Sequence, residues 1–201
     1  MNRNIFENIV KTYFPLKINY TLDSELYIAS PEFIKLEERL SENDIFRVKY
    51  DNYITLLNKG IGFKFYAVGY HHLERCLTYQ CNLGLPYRLN VDISLLGPFF
   101  TAYVVERDVK KSIKIKDSMD LLSKLQLSKN SEELLVLKKN QLIFTSLVEH
   151  VINKLKSDMQ LIYIDYFESL DVIFLDRFSL DFQEKQLSLF SALFKDKLVF
   201  V

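Results

Sequence analysis

His71, His72, Glu74, Arg75 and Cys76 form the densest run of chemically able side chains in the chain. On one continuous strand His72, Glu74 and Cys76 point to the same face, so an imidazole, a carboxylate and a thiol would converge as metal ligands. A fourth ligand has to come from elsewhere: Cys81 has the opposite parity to Cys76, which leaves His150. This lone triad lacks the paired spacing that makes zinc motifs specific. The plainer expectation is a loop-to-strand junction with one hydrogen-bonded histidine and no metal.

Other chemistries find less support. Nucleophilic catalysis needs a Ser, Thr or Cys beside a base, and the chain has three histidines to supply one. Gly-x-Ser-x-Gly is absent, the Gly-Ile-Gly of residues 60–62 lacks the remaining glycine of a dinucleotide loop, and no Gly-Lys-Ser or Gly-Lys-Thr marks a phosphate loop. Asp165, Glu168, Asp171 and Asp176 offer four carboxylates, but their spacing fits no calcium loop. They are the chosen partner-binding residues, an acidic surface set against basic groups of another molecule. The expectation is a protein that is not an enzyme and needs no cofactor. The alternative keeps a metal-dependent enzyme built on the 71–76 region.

The elements that would carry these residues centre on Arg88 to Val105. Leu89, Val91, Ile93 and Leu95 alternate with Asn90, Asp92 and Ser94, giving one apolar and one polar face, and Gly97-Pro98 makes a corner before a second strand, Phe99 to Val105. That second strand is apolar on both faces apart from Thr101 and the Tyr103 hydroxyl, which predicts a central position. All five glycines lie between Gly60 and Gly97, so the strands predicted over Phe63–Val68 and Glu74–Asn82 join the pair in an antiparallel meander. Ile113 and Ile115 alternate with Lys114 and Lys116 like an edge strand.

Helices are expected on both sides of this stretch. Ile5, Phe6, Ile9, Val10 and Tyr13 have helical spacing up to Pro15, and Ser30-Pro31-Glu32 opens a second helix with a hydroxyl cap and Pro in the first turn. Lys17 to Ala29 reads as loose edge strand, and Asp51 to Lys59 as helix ending at Gly60. Asn130 and Glu133 suggest a capping box for a long helix bearing Leu134, Leu137, Gln141, Phe144, Val148, Val151 and Leu155, widened by Leu135, Leu142 and Leu147. Leu161–Glu168 and Leu170–Leu175 read as strands, with a buried helix the alternative that their length leaves open. Asp181 and Glu184 would cap a helix bearing Leu187, Phe190, Leu193 and Phe194, and Leu198–Val201 would close the fold as a strand. The whole is expected to be one α+β domain over residues 1–201, a central antiparallel sheet of four to six strands (residues 63–116) flanked by N-terminal and C-terminal helices.

Charge and apolar content bound the partners. Lys+Arg and Asp+Glu are both 26, which argues against unspecific attraction to nucleic acid or anionic lipid. The balance is uneven along the chain: residues 107–139 carry nine Lys or Arg against five Asp or Glu, and residues 158–201 carry eight acidic against four basic. The basic stretch lacks RNA-recognition submotifs and a helix-turn-helix. No signal-peptide core or membrane span is evident, and two cysteines suit buried thiols in a reducing cytoplasm. With 16 Phe and 12 Tyr, the chain is rich in the side chains that make interfaces.

The text VDISLLGPFFTAY (residues 91–103) and the aromatic SLFSALF (residues 188–194), in a chain of this size with helices on both sides, resemble small bacterial immunity-type proteins encoded beside polymorphic toxins. The resemblance covers the hairpin and the general layout. It implies a cytoplasmic inhibitor that occludes a cognate toxin, and it carries over no functional residue. A scaffold module that dimerises through a sheet edge is the alternative.

Overall fold

The computed structural model describes residues 3–20, 22–68, 74–84, 87–106, 135–136, 145–177 and 187–195. Its centre is a six-stranded sheet, in which β1 (Phe65–Ala67), β2 (Cys76–Gly84), β3 (Tyr87–Ser94), β4 (Phe99–Glu106) and β5 (Leu135–Val136) lie side by side and antiparallel. The α+β meander expected from the alternation is therefore present, with β4 central. One exception to antiparallel pairing is β6 (Ile162–Tyr163), which runs parallel to the first residues of β4 while β5 takes the last two.

Period-two alternation divides the sheet into two faces, and both are buried. Leu77, Tyr79, Cys81, Leu89, Val91, Ile93, Phe100, Ala102 and Val104 belong to one core. Cys76, Phe99, Tyr103 and Val105 belong to the other. The opposite parity of Cys76 and Cys81 is realised: one free thiol sits in each core.

Helices cover the first face. In α1 (Arg3–Tyr13), Val10 joins that core while Phe6, one turn earlier, reaches the second core, and Phe14 and Pro15 are buried where the helix ends. Ser30 caps α3 (Pro31–Ser41), its Oγ accepting from the Phe33 amide at 3.2 Å, and Pro31 fills the first turn without loss because its missing N–H had no partner there. Phe33, Leu36 and Leu40 form the buried stripe. α4 (Asn43–Ile61) buries Tyr50, Ile54 and Leu57, and α5 (Thr145–Met159) buries Val148, Val151 and Leu155. The second face is covered by α6 (Tyr166–Asp171), the short pair β7 (Ile173–Phe174) and β8 (Leu187–Ser188), and α7 (Leu189–Leu193).

Several local expectations are corrected. Lys17–Ala29 contains no strand among its described residues; α2 (Ser24–Ile28) forms instead, because Tyr27 alone is driven inward while Leu22, Leu26 and Ile28 stay exposed. The helix expected over Asp51–Lys59 starts at Asn43 and passes Gly60, and it is Gly62, at φ 67°, that takes the left-handed C-terminal position. Leu135 and Val136 pair as strand and do not widen a helix. Leu161–Glu168 is strand only at Ile162–Tyr163, because the Asp165 carboxylate accepts from the Phe167 and Glu168 amides and starts α6 there. Leu187 lies in a strand, and the short helix after it is capped by Ser188, whose Oγ accepts from the Ser191 amide. The edge strand at Ile113–Lys116, the Asn130/Glu133 box, Leu134, Leu137, Gln141, Leu142, Phe144, the Asp181/Glu184 cap and the Leu198–Val201 strand lie outside the described residues.

The corner between β3 and β4 depends on Gly97. A Cβ there would stand 2.5 Å from Phe99 Cε2 and 2.8 Å from its Cδ2, and the Phe99 ring is itself buried against Phe6. Gly97→Ala is expected to cost about 1–3 kcal/mol through overpacking, read as a lower urea midpoint at unchanged slope.

Candidate functional site

The polar face of the central strands carries a buried network. Asp92 on β3 is fully buried, and its Oδ1 accepts from Thr78 Oγ1 at 2.7 Å and from Lys195 Nζ at 2.9 Å. Its Oδ2 accepts from the Tyr103 hydroxyl at 2.8 Å. Lys195 Nζ also donates to Thr78 Oγ1 at 3.1 Å, so three strands and the second residue after α7 meet at one carboxylate. Register explains the meeting, since Thr78 is the cross-strand partner of Asp92 on one side and Tyr103 lies two residues beyond its partner Thr101 on the other.

Burial and the carboxylate together set the titration of its neighbours. Burial and then the Asp92 charge push the Tyr103 hydroxyl well above its ordinary value. Burial, then Asp92, also pushes up the Cys76 thiol, whose Sγ lies 3.8 Å from Thr78 Oγ1. Burial, the largest single influence, would lower the Lys195 ammonium, but the charge and hydrogen bond of Asp92 together with the nearby Cys76 and Glu74 hold it above its ordinary value. The cluster therefore combines a neutral phenol, a neutral thiol and a charged ammonium. Nothing in that set favours a thiolate nucleophile or a free amine.

The same face holds the C-terminal segment down. Arg75, fully buried, donates from Nε to the Ser191 carbonyl at 2.8 Å and from its backbone N–H to the Phe194 carbonyl at 2.9 Å. Ser94 Oγ donates to the Leu193 carbonyl at 2.7 Å. Carbonyls at the end of α7, which have no partner within so short a helix, are thus satisfied by side chains and backbone of the sheet.

Of the residues singled out for metal binding, the described ones, Glu74, Cys76 and His150, do not converge. Glu74 and Cys76 line one small cavity with Arg47, Asp51 and Thr78, but its volume of about 10 Å³ is that of a single water. His150 is exposed on α5, whose buried residues pack on the sheet face opposite Cys76. His71 and His72 lie outside the described residues. Among the described residues no three His, Cys, Asp or Glu side chains gather.

The acidic set fares differently. Asp165 turns its carboxylate to its own helix as a cap and is half-buried, whereas Glu168, Asp171 and Asp176 are exposed along α6 and the turn after β7. Asp176 stands at a groove of about 330 Å³ between α1 and β7, together with Glu7, Val10, Lys11, Leu16, Ile173, Phe174, Leu175 and Arg177. Its walls are tied to each other: the Lys17 amide donates to the Asp176 carbonyl at 2.9 Å, and Arg177 donates to the Phe14 carbonyl. Leu16 is 52% exposed, Ile173 37% and Leu175 70%, so apolar side chains face outward among the carboxylates.

Sequence reasoning chose the acidic residues and missed both the apolar members of the groove and the Thr78–Asp92–Tyr103–Lys195 network. A signal for the network was present in the Asn90, Asp92, Ser94 alternation, but nothing local told that Lys195 would cover it. No known protein family, curated protein or solved structure matches the chain.

Proposed function

We propose that this protein is a non-enzymatic inhibitor of the immunity type, which binds and occludes a partner protein, a toxin, through the groove between α1 and β7. The observation that carries this reading is the composition of that groove. Exposed Leu16, Ile173 and Leu175 line it with Glu7, Asp176, Lys11 and Arg177, an apolar centre with a charged margin such as protein interfaces use, and Asp171 is exposed two residues before Ile173. The complementary surface is an apolar anchor flanked by lysine or arginine, the apolar part supplying affinity and the carboxylates supplying steering and register. Two free, buried cysteines support a cytoplasmic setting. No helix among the described residues is long and apolar enough to cross a membrane.

The test uses the product of the open reading frame adjacent to this one. Purified, it is expected to bind this protein, and co-expression is expected to relieve its toxicity. Leu175→Ser together with Asp171→Lys and Asp176→Lys should weaken binding by about tenfold or more, with a smaller dependence on salt. A neighbour that does not bind, or one bound equally well by the triple variant, would remove the reading.

A further inference from the structure

We infer that this protein forms a two-fold symmetric dimer through the outer face of α4, packed antiparallel against the same helix of a second copy. The 19-residue helix buries Tyr50, Ile54 and Leu57, and its opposite side presents Ile45, Val48, Asn52, Leu56 and Lys59 in steps of three and four residues. Ile45 is 74% exposed, Val48 64% and Leu56 63%. Single exposed apolar residues are ordinary, but three aligned on one face form a seam of the kind that packs against another helix. Lys49 borders the seam, and its ammonium is drawn aside over the Tyr50 ring, 5.4 Å from the centroid.

The seam is nearly palindromic about Asn52, and that symmetry selects the occupant. An antiparallel second copy places Val48 against Leu56 twice and Asn52 against Asn52, where the two amides can bond to each other across the axis. Ile45 then meets the apolar stem of Lys59, and the acidic N-terminal turn with Asp44 meets the ammonium of Lys59. Antiparallel packing also sets the positive end of one helix beside the negative end of the other. A polar Asn in the middle of an apolar seam fixes the register, since any slip would bury it against Val48 or Leu56. An unrelated partner has no need of such self-complementarity. α4 packs on the sheet face opposite α6, so the seam does not involve Glu168 or Asp171. The dimer rests on the α4 face alone and stands or falls independently of the toxin reading.

Sedimentation equilibrium on the full chain over a range of concentrations is expected to show monomer and dimer. Val48→Glu or Leu56→Glu should raise the dimer Kd by roughly 30-fold or more. Thermal unfolding of these variants under monomeric conditions should match the parent, because both side chains are exposed in one copy. Asn52→Cys supplies a direct check, since the two native cysteines are buried. Mild oxidation should give a disulfide-linked dimer of Asn52→Cys and none of Glu168→Cys, which lies on the far side of the sheet. A monomer at every concentration would overturn the inference. So would a dimer that persists in Val48→Glu and in which Asn52→Cys does not cross-link, as expected for pairing through the β1 edge.

Discussion

Replacing Asp92 by Ala is expected to lower the unfolding free energy by about 3–5 kcal/mol, because it leaves the Lys195 ammonium without its counter-charge in a site from which water is excluded. Most of that cost comes from the stranded charge, not from the lost attraction. Lys195→Met alone should therefore also destabilise, while Asp92→Ala combined with Lys195→Met should cost far less than the sum of the single changes. A double-mutant cycle in urea is expected to return a coupling of about 0.5–3 kcal/mol, and additive single effects would show that the two groups do not act as a pair. The pH dependence has a definite sign. The Lys195 pKa is raised on folding, so its contribution is complete below the ordinary lysine value of about 10.4 and disappears as pH rises through the folded value. The parent should thus lose stability in the alkaline range more steeply than Lys195→Met, as measured by urea midpoints from pH 8 upward.

Phe190→Ala is the second large effect, again about 3–5 kcal/mol. The ring is buried between Tyr166, whose centroid is 5.0 Å away, and Phe194, at 5.4 Å, and it meets Tyr103 edge-on at 6.4 Å. Its removal leaves a cavity at the point where the C-terminal segment covers the sheet. If that segment is an integral layer, Phe190→Ala should lower the single cooperative urea transition, and amide exchange of β3 and β4 should accelerate with it. A change confined to residues 187–195, with β3 and β4 still protected, would show that this layer detaches separately.

Both residues stand in patterns legible along the chain, Asp92 on the polar side of a strand and Phe190 on an apolar stripe, but the partners that make them costly to remove are not legible there. Leu89 through Leu95, the Gly97-Pro98 corner and the Ser30-Pro31 helix start are legible because each is encoded within a few residues: alternation makes the strand, a missing Cβ makes the corner, and a hydroxyl makes the cap. The same local reading fails at Lys17–Ala29, where alternation of Ile18, Tyr20 and Leu22 belongs to loop and Tyr27 alone anchors α2. It also misses the start of α4, because the turn from Asn43 to Tyr50 carries its apolar Ile45 and Val48 outward. For the candidate site, Asp176 stands out by charge, but Leu16 and Val10, which line the groove with it, lie more than 150 positions away.

The residue order of this chain thus determined its α+β character, the antiparallel hairpin at its centre and the central place of β4, since these follow from period-two patterning and turn chemistry acting over short distances. Only the tertiary structure decided that the polar side of the hairpin would be an interior. Asp92 is the kind of residue that local rules assign to solvent, and it can be buried because Lys195, Thr78 and Tyr103 arrive from distant positions to satisfy both carboxylate oxygens. A charge leaves water when its partners are already in place, and which partners those are is a property of the assembled fold.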